Sequence, residues 1–281
     1  MYRVTIRRRS VSVDGKHHYP LQSFLSSRLK KLGRVEVLDG KTAVAVWPRT
    51  GKEVSFSLSR APNHRFTHNH VKYAIELPCQ PGPIKEARSV LAREHYLPPP
   101  QKGMLVGLRA VSGDDHSECV GAAVLDQVTH GMPVGRYDLA GEMGITLPPK
   151  PSRKRLGPAD GRRCETKFRR EVVRRLGVYC VVRIATRGDH HGTGLGSKFL
   201  SVLCEFAKPI LYPIPKSFEL MRVADKERAR SISEQGGVDF ATKAGFVPSP
   251  RSTPAGLHFV DSGDHKSTLQ SLRRLYYYKI L

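Results

Sequence analysis

The stretch His191-Gly192-Thr193-Gly194-Leu195-Gly196-Ser197 lies between an apolar run, Val178 to Ala185, and a helix-like stretch, Lys198 to Phe206. Glycine at three alternate positions leaves the backbone bare where a strand meets a helix. A chain built this way must run strand, tight loop, helix without interruption. Several loop N–H groups then face an anion, and the helix N-terminus adds its partial positive charge. A phosphorylated ligand is the expectation.

Two familiar glycine loops do not fit. A nucleotide-binding P-loop needs Gly-x-x-x-x-Gly-Lys-Ser/Thr, whereas Gly196 is followed by Ser197, Lys198 and Phe199. A dinucleotide loop needs Gly-x-Gly-x-x-Gly, and counting from Gly192 or Gly194 puts Ser197 or Phe199 at the third glycine.

The net charge of +22 over 281 residues repels itself unless a polyanion compensates it, which favours nucleic acid or a ribosome as partner. The charge concentrates between Lys150 and Arg175, where Arg153, Lys154, Arg155, Arg162, Arg163, Lys167, Arg169, Arg170, Arg174 and Arg175 face only Asp160, Glu165 and Glu171. Five cysteines, Cys79, Cys119, Cys164, Cys180 and Cys204, are odd in number and widely spaced, so a reducing, cytoplasmic compartment is expected. No apolar run is long enough to cross a bilayer, no signal peptide is evident, and no membrane partner is expected. The Arg-rich start could pass for a transit peptide, but the alternation of Tyr2, Val4, Ile6, Val11 and Val13 favours an edge strand.

Residues 1–80 read as a β-rich extension of unknown role. Val35 to Leu38 and Thr42 to Trp47 flank the hairpin signal Asp39-Gly40, Ser55 to Leu58 adds a further strand, and Leu21 to Leu32 has helical spacing. Pro78 to Pro83 marks the expected boundary, and residues 84–281 form the second domain, with a basic insertion at about 127–177. There the pattern predicts a helix from Ile84 to Tyr96, an antiparallel pair (Met104 to Ala110, Cys119 to Leu125) and a helix from Arg162 to Leu176. A strand from Val178 to Ala185, the glycine loop, a helix to Ala207 and a strand near Ser217 to Val223 follow. A helix ending at Gly245-Phe246 and closing strands at His258 to Val260 and Tyr276 to Leu281 complete it. The fold class is mixed α/β, a mostly antiparallel sheet flanked by helices.

That order, with His191 in the Arg/Gln place of Arg/Gln-x-x-Gly-x-Gly, resembles the GNAT superfamily of CoA-dependent N-acyltransferases. Phe240 to Phe246 is similar to the family's late helix-to-strand motif. More narrowly, Arg93 to Tyr96, Val120 to Val124, Arg183, the loop and Glu219 resemble the acetyltransferase-like module found with ATP-binding-cassette-type ATPases; any ATPase would be a separate chain. The resemblance spans about residues 85–250. It implies acetyl-CoA (or another acyl-CoA) as cofactor, with Val181, Val182, Arg183 and Ile184 holding the pantetheine arm through their main chain. His191, Gly192, Thr193, Gly194, Leu195, Gly196 and Ser197 would take the pyrophosphate. Ala241 stands where many members carry a Tyr that protonates the leaving thiolate.

Acyl transfer to an amine needs a base for the ammonium proton, donors for the oxyanion, and a leaving thiolate. Glu219, in the strand after the loop helix, is the first candidate base, and Glu142, between flexible glycines, the second; Glu234 and Asp239 rank lower. Arg183 pairs with a carboxylate or meets substrate. Cys180 reads as a structural thiol, His190 and His191 could touch phosphate, and Tyr276 to Tyr278 could stack bases. His64, His68, His70 and Cys79 lack the paired spacing of a zinc site, and no metal is expected. The expected function is N-acylation of an amine on nucleic acid or held beside it: a modified DNA or tRNA base, an aminoacyl-tRNA or a ribosomal protein. Arg153, Lys154, Arg155, Arg162, Arg163, Lys167, Arg169 and Arg170 would form the nucleic-acid contact. The rivals are a small-molecule or polyamine acetyltransferase and a non-catalytic nucleic-acid binder on the same scaffold.

Overall fold

The computed structural model describes residues 4–6, 10–13, 17–20, 34–37, 42–46, 53–57, 63–78, 81–94, 100, 103–111, 117–128, 133, 135–151, 158–208, 211, 215–250, 253–254 and 272–281. In chain order the elements are β1 (Val4–Ile6), β2 (Ser10–Val13), β3 (His17–Pro20), β4 (Arg34–Val37), β5 (Thr42–Val46), β6 (Glu53–Ser57), β7 (Asn63–His68) and β8 (Val71–Glu76). Next come α1 (Pro81–Glu94), β9 (Met104–Val111), β10 (Ser117–Asp126), α2 (Gly135–Glu142), α3 (Pro158–Leu176), β11 (Val178–Thr186) and α4 (Leu195–Ala207). β12 (Ser217–Asp225), α5 (Lys226–Gln235), α6 (Phe240–Lys243), β13 (Val247–Pro248), β14 (Thr253–Pro254) and β15 (Leu272–Ile280) close the chain. The class is mixed α/β with mostly antiparallel pairing and flanking helices, as expected.

Two compact units divide the chain: Met1–Leu125 with Arg183–Tyr212, and Asp126–Val182 with Pro213–Leu281. β11 therefore begins in the second unit and ends in the first. In the first unit β1-β2-β3 and β4-β5-β6 form small antiparallel sheets, and β7-β8-β9-β10 a larger one. The boundary expected at Pro78–Pro83 needs correcting. β8 pairs with β9 across it, Lys72 opposite Val111 through Glu76 opposite Gly107, so both sides share one sheet. The prolines mark a strand-to-helix corner: Pro81 opens α1, where its missing N–H would have had no partner. α1 buries Ala87, Val90 and Leu91 against Leu105, Ala122 and Val124 of β9 and β10.

In the second unit β12 pairs along its whole length with β15, from Ser217 opposite Ile280 to Asp225 opposite Leu272. β13 and β14 pair with β15 as well. α2 and α3 cover this sheet: Leu139, Ala140, Phe168, Val172, Val173 and Leu176 meet Val178, Tyr276 and Tyr278. The tyrosine run alternates as a strand must, with Tyr277 on the opposite face from its neighbours. All three rings are buried, which removes them as base-stacking platforms. The predicted helix from Leu21 to Leu32 and the strand at His258 to Val260 lie outside the described residues.

Gly135 sits under the Tyr276 ring, where a Cβ would come within 1.8 Å of Tyr276 Cδ1. At Gly141, in the same helix, a Cβ would meet nothing within 4 Å. Gly135→Ala should therefore lower stability by about 1–3 kcal/mol through overpacking, and Gly141→Ala should raise it by about 0.5–1 kcal/mol through helix propensity. Denaturant titration of both variants checks the contrast.

Candidate functional site

In the first unit β11 leads into a short 3-10 turn, Gly188–His190, and then the glycine loop. The turn is pinned by His190 N–H to Arg187 C=O (2.9 Å) and His191 N–H to Gly188 C=O (3.0 Å), and Arg187 N–H donates to Val120 C=O of β10 (2.9 Å). Gly192 and Gly194 have φ of +78° and +83°, the left-handed region that side chains disfavour. Gly194 is the N-cap of α4, whose first i to i−4 bond runs from Lys198 N–H to Gly194 C=O (3.1 Å). The amides of Gly196 and Ser197 precede that bond, so they lie in the part of the helix that lacks intrahelical acceptors. Thr193 Oγ1 accepts from Leu195 N–H (3.3 Å) and donates to His190 C=O (2.7 Å). Thr193 C=O accepts from His68 Nε2 (2.9 Å) and Asn69 Nδ2 (3.3 Å). This grip went unseen in the sequence, because His68 and Asn69 lie more than a hundred residues away. The His191 ring folds back to Thr186 C=O (3.1 Å). A carbonyl carries no proton, so each of these imidazoles donates from Nε2. Leu195, expected at the cradle, is fully buried, and its N–H is taken by the Thr193 hydroxyl.

Upstream, the parallel register of β11 with β12 runs from Val178 opposite Ser217 to Val181 opposite Leu220. It ends there, although β11 continues to Thr186 and β12 to Asp225. Val181 is the last registered residue, and Val182, Arg183 and Ile184 follow it half-buried. The described cysteines, Cys119, Cys164, Cys180 and Cys204, are free thiols.

In the second unit Glu219 of β12 and Arg136 of α2 are both 0 % exposed and paired two-fold. Arg136 Nε donates to Oε2 (2.9 Å) and Nη2 to Oε1 (2.5 Å). Tyr276 Oη donates to the same Oε2 (2.6 Å), and Arg136 Nη2 also donates to Val128 C=O (2.8 Å). Burial and the adjoining carboxylate push the Tyr276 phenol well above its ordinary value. Burial alone would lower Arg136, but the Glu219 charge outweighs it and the guanidinium stays firmly protonated. Glu219, the first candidate base, thus has both oxygens engaged, whereas Glu142 ends α2 exposed. Asp239 caps α6 through the Ala241 and Thr242 amides and accepts from Arg222 (2.8 Å) and Tyr277 Oη (2.6 Å). Burial raises its pKa, yet the hydrogen bonds from Tyr277 and Thr242 and the Arg222 charge prevail, leaving it below the ordinary value. Ala241 is fully buried.

α3 turns Phe168, Val172, Val173 and Leu176 inward and Arg162, Arg163, Lys167 and Arg170 outward into solvent. Arg169, also named for the expected nucleic-acid contact, is half-buried and ion-paired with Glu165, one turn earlier. Glu171 is shared by Arg174 (2.6 Å) and Arg175 (2.9 Å), whose hydrogen bonds hold its carboxyl at about 2. Arg153, Lys154 and Arg155 lie outside the described residues. Among the described residues no His, Cys, Asp and Glu side chains converge as metal ligands would, and no helix is long and apolar enough to cross a membrane.

No protein-family model and no curated protein matches this chain. Solved structures similar to it include a Bacillus subtilis acetyltransferase in complex with CoA, with 16% identity, TM-score 0.39, and coverage of 74% of this chain and 97% of that one. The ribosomal-protein-S18-alanine N-acetyltransferase from Escherichia coli is similar at 10% identity and TM-score 0.37, covering 73% and 92%. Arabidopsis thaliana NAA60 in complex with a bisubstrate analogue is similar at 10% identity and TM-score 0.37, covering 74% and 97%.

Two outcomes follow from the buried charges. Arg136→Met leaves Glu219 without its counter-charge and should cost about 3–5 kcal/mol, most of it recovered in Arg136→Met/Glu219→Leu; equal instability of both variants in urea would contradict the pairing. A depressed Asp239 stabilises the fold above the ordinary Asp range, and that contribution vanishes as pH falls through its native value. The gap in melting temperature between the parent and Asp239→Asn should therefore close on acidification below about pH 4.

Proposed function

We propose that this chain is a CoA-dependent N-acyltransferase of the GNAT type, acting on an amine of a nucleic acid or of a molecule held beside one. One observation carries the reading: a strand whose parallel register stops midway runs straight into a glycine loop that opens a helix. The loop combines left-handed glycines with first-turn amides, a donor set suited to a diphosphate. The order of elements from α1 to β15 also follows the GNAT pattern, with β12 and its antiparallel partner completing the sheet.

Bound acyl-CoA supplies an activated thioester carbonyl. In this reading the amides of Gly192, Gly194, Gly196 and Ser197 would hold the diphosphate by hydrogen bonds, and the main chain from Val181 to Ile184 would orient the pantetheine arm and polarise the carbonyl. Glu142, exposed at the end of α2, takes the ammonium proton from the acceptor, while Glu219 anchors Arg136 and Tyr276. With alanine at position 241, no phenol from α6 is available for the thiolate, and solvent protonates it.

The acceptor class rests on the outward cations Arg162, Arg163, Lys167 and Arg170 and on the net charge of +22. This arc carries no aromatic ring, so it suits the phosphate backbone better than exposed bases. Arg153, Lys154 and Arg155 belong to the same proposal by sequence, as does a separate ATPase chain. A second reading, nucleic-acid binding without catalysis, draws on the buried Ala241.

Titration calorimetry with acetyl-CoA is expected to show saturable binding that Gly194→Glu abolishes. Absence of heat from a folded chain that still binds polynucleotide selects the second reading. Lys167→Glu/Arg170→Glu should lower the slope of log K against log salt for a DNA duplex by about 2, since each phosphate contact contributes about 0.9. Mass spectrometry of total nucleosides, with and without the chain expressed, is expected to reveal a new acyl-bearing nucleoside if the acceptor is a base.

A further inference from the structure

We propose that the tip of the β7–β8 hairpin is a clamp that fixes the glycine loop in its phosphate-binding form, with His68 and Asn69 as positioning residues. This rests on the reading of the loop as the diphosphate cradle of coenzyme A. The tip, the loop and α4 all lie within one compact unit.

The clamp acts on a single peptide plane. Thr193 C=O accepts from both His68 Nε2 and Asn69 Nδ2, at 2.9 and 3.3 Å. A trans peptide is planar, so holding Thr193 C=O toward the hairpin aims the Gly194 N–H the opposite way. Gly194, on one side of that plane, has positive φ and no side chain to resist rotation of the peptide, and Gly192 gives the same freedom one residue before Thr193. Left alone, glycine-rich backbone samples many orientations, and ordering it on binding weakens affinity. Two donors on one carbonyl remove that freedom beforehand. They also draw electron density toward the carbonyl oxygen, which makes the amide at the other end of the plane a better donor.

The hairpin is itself built to present these groups. His68 pairs with Val71 at the end of the ladder, leaving Asn69 and His70 as a two-residue connection with φ of +47° and +62°. Positive φ at both positions is the geometry of the turn that matches strand twist. Asparagine and histidine are both among the non-glycine residues enriched in that region. The ladder behind the tip, Asn63 opposite Glu76 through His68 opposite Val71, is tied to β9 by a second ladder. Phe66 and Tyr73 stack at 5.5 Å between their ring centroids, and Tyr73 meets the His190 ring edge-on at 6.4 Å. The tip is thus braced against the start of the same loop that it grips at Thr193. Beside Gly194, the His68 ring leaves room only for van der Waals contact with an added Cβ, at 3.7 Å from Cε1.

A positioning role predicts a donor-selective defect. His68→Ala/Asn69→Gly removes both side-chain donors while glycine keeps the turn geometry. The double variant should bind acetyl-CoA about tenfold more weakly, the effect of losing two ordinary hydrogen bonds. Its affinity for acetyl-pantetheine, which lacks the diphosphate, should be unchanged, and its melting temperature should stay close to the parent's. His68→Gln, which restores an N–H donor, should recover most of the acetyl-CoA affinity. Calorimetry with the two donors on the full chain reads all three results. An unchanged acetyl-CoA affinity in the double variant, or an equal loss for acetyl-pantetheine, overturns the clamp while leaving the cofactor reading intact. If the unaltered chain binds no acetyl-CoA, the cofactor reading fails and the clamp falls with it.

Discussion

A guanidinium and a carboxylate with no solvent exposure must find each other or unfold the protein around them. Arg136 and Glu219 do so in two parallel bonds, with Tyr276 adding a third donor to the carboxylate. The pair ties α2 to β12, and the tyrosine ties both to β15, so three elements far apart in sequence are fixed by one charge cluster. Such a cluster adds little net stability compared with apolar packing, but it tolerates no slippage, since a shift of one residue would strand a buried charge. Gly135, one position before the arginine, is cleared of its side chain to let the Tyr276 ring in. The second unit is organised around this point.

The first unit is organised around backbone polar groups. A carbonyl held by His68 and Asn69, a hydroxyl bridging Leu195 and His190, and two left-handed glycines define a loop with no charged side chain at its centre. A diphosphate is well served by fixed neutral dipoles, which need no counter-charge when the ligand leaves. In the second unit, by contrast, the polar centre is charged: Glu219 is fully engaged, while Glu142 lies exposed at the end of α2.

Sequence reasoning reached the elements with strong periodicity. Val178 to Ala185, the helix from Arg162 and the antiparallel pair around Met104 and Cys119 are all present within a few residues. α2 was missed because two glycines interrupt it and its buried members include an arginine, which pattern reading assigns to the surface. β7 was missed because Asn63, His64, Arg65 and His68 leave Phe66 its one apolar residue, and β8 because its alternation, Tyr73 and Ile75, is short. Glu219 was legible as an inward carboxylate, but its partner was not, since Arg136 lies 83 residues away. The i, i+4 spacing of Glu165 and Arg169 was visible in the sequence, yet only three dimensions show the two side chains meeting.

α3 carries its outward cations on the same turns that hold Phe168, Val172 and Val173 in the core. Helix and cations therefore share one rigid body. A polyanion would meet a ladder of charges already spaced at about 1.5 Å of rise per residue, with no coil-to-helix transition to drive. Encounter would then be governed by diffusion through the long-range field, and dissociation by how many counterions return, a regime unlike that of disordered basic tails, which must fold as they bind.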